Sequence, residues 1–293
     1  MKWEGDPESN NVEDLRGSGG GGGFGFGGRS IGIGTIVIAL IGSWIFGVSP
    51  TTILNLLSGG GGAPTVQQEQ AAPRQQAGPE DQQTRFVKTI LRYTEDTWSQ
   101  IFREHNATYQ DPTLVLFNGS VPTACGLGKT AAGPFYCPGD HRVYIDLSFY
   151  QLMRQRFHES GEFAQAYVIA HEVGHHVQTL MGIMDKVDRA RSRMDERQAN
   201  ALSVRVELQA DCFAGVWGNR TNAAKHILEQ GDVESALHAA TAIGDDTLQR
   251  EGQGVVVPDS FTHGTSAQRV RWFKRGMDTG DIEQCNTFKA DPL

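Results

Sequence analysis

The sequence has no block of basic residues: its 26 Lys and Arg are scattered among 34 Asp and Glu, for a formal charge of −8. A protein that grips a phosphate backbone concentrates positive charge on one face, so no nucleic acid partner is expected. Cysteine is scarce. The four present, Cys125, Cys137, Cys212 and Cys285, include no Cys-x-x-Cys pair, which argues against a thiolate-bound structural metal site. No internal repeat is evident. Charge itself is missing from one long stretch, Ser30–Gln68, which holds no Asp, Glu, Lys or Arg.

Within that stretch Ile31–Val48 is almost wholly apolar or glycine. At ~1.5 Å per residue, a helix of ~20 residues crosses the ~30 Å hydrocarbon layer. The expectation is one transmembrane helix over residues 31–57, inserted in the lipid bilayer, with Pro50 limiting its regular part. Arg16 and Arg29 precede the run and no Lys or Arg follows it until Arg74. That asymmetry predicts a single-pass protein with a cytoplasmic N-terminus and a periplasmic or extracellular C-terminal domain. A cleaved signal peptide is the competing reading, but Glu4, Asp6, Glu8, Glu13 and Asp14 make a poor n-region.

Composition divides the remainder. Residues 1–30, rich in glycine, read as a flexible cytoplasmic head; residues 58–83, rich in Gly, Ala, Pro and Gln, read as a disordered linker; residues 84–293 carry the ordered domain. All four cysteines lie beyond the apolar run, in keeping with an oxidising compartment. Four cysteines allow three connectivities; the expected pairing is Cys125 with Cys137 across a Gly-rich loop, and Cys212 with Cys285, tying the C-terminal tail to a helix, against the alternative that Cys212 is a free core residue.

Phe86, Ile90, Tyr93, Thr97 and Ile101 recur at helical spacing, Leu114–Phe117 suits a short strand, and Val143, Ile145 and Leu147 alternate as a second strand. From Ser148 onward helical sequence dominates: to about His158, then Phe163–Met181, Asp185–Trp217, Asn222–Gln230, Val233–Ile243 and Ser266–Gly276. The fold class predicted is α+β, mainly helical with a small sheet.

His171-Glu172-Val173-Gly174-His175 lies in the middle of one of these helices. Residues four apart share a helical face, so both imidazoles can bind one Zn²⁺. Glu172 sits about 100° round the helix, where its carboxylate can reach a water on the ion and act as general base. Two histidines leave the metal short of a protein ligand. Glu207 and Asp211, again four apart and set among Val204, Val206, Leu208, Ala210 and Phe213, are the next candidates. One can bind zinc while the other accepts the free N–H of His171 and fixes its orientation. Phe261-Thr262-His263-Gly264-Thr265-Ser266 supplies a third feature: His263 on a small-residue loop suits a second electrophile for the carbonyl oxygen, or Thr265 and Ser266 simply cap a helix. Arg269 can brace the site or form a surface pair. His176 points about 100° away from the ligand face and reads as a packing or surface residue. Gly244-Asp245-Asp246 can orient a site residue or cap a helix. By analogy with zinc proteases, the strand Val143–Leu147 is expected at the sheet edge, where extended substrate pairs.

The segments His171–Gln178 (HEVGHHVQ), Glu207–Gly215 (ELQADCFAG), Ile243–Asp246 (IGDD) and Phe261–Ser266 (FTHGTS) together resemble the bacterial putative neutral zinc metallopeptidases. The resemblance covers essentially the whole chain. It implies a zincin-like domain behind one membrane anchor, with one zinc ion on His171, His175 and Glu207, Glu172 as base, and a peptide or protein as substrate. The arrangement also resembles zinc peptidases whose third ligand is the glutamate of Glu-x-x-x-Asp. Two other readings stand beside hydrolysis of peptide bonds: a catalytically weak zinc-bearing scaffold at the membrane, and a zinc amidase acting on a non-protein envelope substrate.

Overall fold

The computed structural model describes residues 1–16, 81–130, 133–156 and 161–293. Its strands in chain order are β1 (Val12–Asp14), β2 (Thr113–Leu116), β3 (Ser120–Thr123), β4 (Gly126–Lys129), β5 (Phe135–Cys137) and β6 (Arg142–Ile145). The helices are α1 (Gln82–Glu104), α2 (Ser148–Arg156), α3 (Glu162–Leu180), α4 (Ile183–Arg191), α5 (Glu196–Lys225), α6 (Asp232–Ala242), α7 (Asp245–Gln253) and α8 (Ser266–Thr279). Four strands form one sheet in the order β1-β2-β6-β5, with β1, β2 and β6 parallel and β5 antiparallel to β6. β3 and β4 make a separate hairpin. The mainly helical α+β class is as the sequence predicts.

Helix α1 starts where Asp81 accepts the Thr84 N–H at 2.7 Å, and it buries Phe86, Ile90, Tyr93, Trp98 and Ile101. Helix α3 is buried nearly all round, from Phe163 to Gln178, because it packs on α1, α5, α6 and the sheet strands β5 and β6. A helix with no wet face cannot be amphipathic, and its few polar residues must find partners inside. Helix α5 crosses α8 at backbone contact: a Cβ on Gly276 would lie 2.0 Å from the Cys212 carbonyl oxygen. The disulfide Cys212–Cys285 closes beside that crossing, and Cys125–Cys137 ties the β3–β4 hairpin to β5, both as expected.

Several expectations need correction. The helix predicted over Asp185–Trp217 is two helices, because Asp195 caps α5 in a reciprocal pair with Gln198 and stops the run before it. No separate helix spans Asn222–Gln230; α5 continues to Lys225 and ends on left-handed His226. The strand carrying Val143 and Ile145 is interior, flanked by β2 and β5, and the edges of the sheet are β1 and β5. The anchor over 31–57 and nearly all of the linker lie outside the described residues. Among the described residues no helix is long and apolar enough to cross a membrane.

The largest departure is at the N-terminus. Residues 1–16, expected as part of a flexible head, are folded onto the domain. β1 pairs with β2 in register Val12↔Leu114, Trp3 stands edge-on to Phe86 at 5.3 Å, and Asn11 donates to the Glu95 carboxylate at 2.9 Å. Tyr93 donates to Asp6, and Ser9 to Glu95.

Candidate metal centre

The centre lies where α3 meets α5. Gly174, between the two histidines, is the reason the helices come so close: a Cβ there would sit 3.1 Å from the Ala210 carbonyl oxygen and 3.2 Å from its Cα. That approach brings Glu207 of α5 opposite His171 and His175 of α3. Glu207 Oε2 is 3.2 Å from His171 Nε2 and 3.6 Å from His175 Nε2, and one ligand atom from each residue lies within 4.8 Å of the others.

Each imidazole is held from behind. His171 Nδ1 donates to Asp211 Oδ1 at 2.9 Å, and His175 Nδ1 donates to Gln178 Oε1 at 2.9 Å. Those bonds fix the protons on Nδ1 and turn both Nε2 lone pairs toward the Glu207 carboxylate. Atoms converging in this way can hold a cation between them, or share a proton, as His171 Nε2 does when it donates to Glu207 Oε2 at 3.2 Å. The same convergence shows in the acidities. Burial alone would depress the two imidazoles, but Asp211 and Glu207 outweigh it, raising His171 to about 10 and His175 upward as well. Glu207, despite burial, is pulled well below the usual carboxylate range by His175, His263 and His171. Two neutral imidazole nitrogens and one carboxylate are a donor set that fits Zn²⁺ and leaves a position open.

Asp211 is fully buried and saturated. It accepts from Tyr167 OH at 2.6 Å, from His171, and from both Nε and Nη2 of Arg269 at 2.9 Å. Burial pushes its carboxyl up, yet Arg269 and His171 hold it at about 2. Arg269 braces the site, being buried and also bonded to the Ile243 carbonyl. Of the Glu207–Asp211 pair, then, Glu207 faces the convergence point and Asp211 orients His171.

Glu172 is buried beside the centre. Its burial raises the carboxyl pKa, while His171, His175 and the backbone N–H of Tyr136 favour the charged form. His263 sits near enough for its charge to act on Glu207, and its own pKa is raised against burial by Glu207 and Asp245. Asp245 explains the loop. Its Oδ2 accepts the N–H groups of Thr262, His263 and Gly264 at 2.8, 2.7 and 2.9 Å, and its Oδ1 stands 3.4 Å from His263 Nδ1. Asp246 accepts Ser266 N–H at 2.7 Å at the start of α8, so Asp245 orients and Asp246 caps. Thr265 is the α8 N-cap, as one of the two readings of that loop has it.

Gln178 and Tyr167 join the site without a signal of their own in the sequence. Gln178 lies three residues after His175 and Tyr167 four before His171, the spacings from which a helix can serve its own ligands. His176 packs as expected: it is buried, and its pKa is driven down to about 4 by that burial.

A family model described as putative neutral zinc metallopeptidase matches residues 1–288. The chain is 51% identical over 293 residues to "Uncharacterized protein YpfJ" of Escherichia coli (strain K12), covering 98% of this chain and 99% of that one. It is 39% identical over 219 residues to "Uncharacterized protein Rv2575" of Mycobacterium tuberculosis (strain ATCC 25618 / H37Rv), covering 71% of this chain and 73% of that one. No solved structure matches.

Proposed function

The chain belongs to the family of putative neutral zinc metallopeptidases, and from that premise we propose that it hydrolyses peptide bonds, with zinc held by His171, His175 and Glu207. The observation that carries this reading is the convergence of His171 Nε2, His175 Nε2 and a Glu207 oxygen within 4.8 Å. Bound zinc supplies a Lewis acid that lowers the pKa of water and polarises a carbonyl. The chain's own residues do the rest. Glu172, with a pKa raised by burial, takes the proton from the attacking water and passes it to the leaving amine. His263, held by Asp245, donates to the carbonyl oxygen as negative charge builds there. Asp211 and Gln178 keep His171 and His175 in the ligating tautomer. Arg269 keeps Asp211 charged. No covalent intermediate is needed. The two disulfides support an oxidising, extracytoplasmic location.

The test is Glu172→Gln in the purified full-length protein, assayed on a quenched-fluorescent peptide library with zinc measured per chain. The expected outcome is full zinc occupancy with turnover reduced at least ~100-fold, the lower end of a general base's contribution. Equal turnover in mutant and wild type, both loaded, would leave the zinc-bearing scaffold as the better description. Hydrolysis of cell-wall fragments with no peptide cleavage would favour the amidase.

A further inference from the structure

We propose that His176 is a positioning residue: by gripping Tyr136 it bolts the edge strand β5 to the metal-bearing helix α3, and so sets the backbone group that faces Glu172. His176 follows a ligand in the chain but leaves α3 on another side, toward the sheet. It is 1% exposed, and both ring nitrogens are engaged. Nε2–H donates to the Gln110 carbonyl at 2.6 Å, and Nδ1 accepts from Tyr136 OH at 3.2 Å. The rings of Tyr136, Tyr109 and His141 stand nearly edge-on to the imidazole at 5.5, 5.7 and 6.0 Å. These residues come from β5, from the segment before β2 and from the turn between β5 and β6, so one imidazole joins three parts of the sheet layer to α3.

A phenylalanine would fill this space without any polar group to desolvate. An imidazole with both nitrogens bonded fixes the rotation of the ring and the register of its partners, which apolar packing does not. Tyr136 is the partner that matters. Its hydroxyl reaches α3 at His176 and Thr179, while its backbone N–H faces the Glu172 carboxylate. A single residue of β5 thus touches three residues of α3, one of them Glu172. The next residue, Cys137, is pinned to Cys125, so β5 is held on both sides of that contact.

The role of Glu172 as base rests on the peptidase reading; the bolt itself does not. The experiment is Tyr136→Phe in the zinc-loaded full-length protein, which removes the hydroxyl and keeps the ring, with His176→Gln as a second variant that retains a donor for Gln110. Hydrogen exchange is followed by mass spectrometry on peptides covering residues 133–142, alongside kcat, KM, zinc content and Tm. The expected result is exchange in β5 about 5-fold faster, the effect of one lost hydrogen bond, and a kcat reduced by a similar factor with KM and zinc content unchanged. Unchanged exchange in Tyr136→Phe overturns the bolt. Faster exchange with unchanged kcat overturns its action on Glu172. Faster exchange in a protein whose wild type cleaves no peptide supports the bolt and removes the peptidase reading instead.

Discussion

Replacing Asp211 by Asn changes one oxygen to a nitrogen at a fully buried position that accepts two bonds from Arg269, one from Tyr167 and one from His171. The side chain keeps its shape and loses its charge, leaving the Arg269 guanidinium buried without a counter-ion. Breaking a buried pair by removing one partner costs about 3–5 kcal/mol. For a domain of this size that corresponds to a fall in Tm of about 6–20 °C. The metal responds separately. An amide turned to bond Arg269 accepts poorly from His171, and loss of such an outer partner weakens zinc binding about 10–100-fold. Calorimetry of the zinc-free protein gives the first number and competition with a chelator the second. Acid adds a sign. Asp211 is held at about 2 in the folded protein against an ordinary 3.8, so its contribution is present above pH 3.8 and is lost as pH falls through 2. At ~1.4 kcal/mol per unit that is about 2 kcal/mol, absent in the variant. A Tm within 2 °C of wild type, together with unchanged zinc affinity, would refute the reasoning.

Gly174→Ala places a methyl against the Ala210 backbone and should push α3 from α5, lowering zinc affinity while costing about 1–3 kcal/mol of stability; chelator competition decides it, and unaltered affinity means the close approach is incidental. Trp3→Ala should destabilise by about 3 kcal/mol in chemical denaturation, since the indole is 5% exposed against Phe86, whereas a flexible head would give no change. Asp245→Ala frees three backbone N–H groups at once and should abolish exchange protection at residues 262–264 before it touches the rest of the domain.

The centre was the most legible part of the chain because its geometry is local. His171 with His175 and Glu207 with Asp211 each need only a helix to share a face, and the meeting of the two faces followed from polar residues stranded in apolar sequence. Both disulfides were legible from cysteine number and position. What escaped was set by contacts distant in the chain. β1 has little apolar character; its order comes from β2 and from the Glu95 and Tyr93 side chains of α1, about 80 residues away. β5 is three residues long, and its identity as an edge depends on where β6 is inserted. The break at Asp195 was signalled by its capping pair with Gln198, which the longer helical pattern on either side obscured.

The pairing of β1 with β2 bears on how this protein can be handled. Composition suggests trimming the chain to begin near residue 84, but that cut peels away the outermost strand. The Leu114 N–H now bonded to Asn11 and the Leu116 carbonyl now bonded to Leu15 would face solvent along an apolar strand, next to an uncovered Phe86. Such an open, sticky margin invites a second molecule to add its own strand, and aggregation of the trimmed form would then be mistaken for instability of the metal-bearing core.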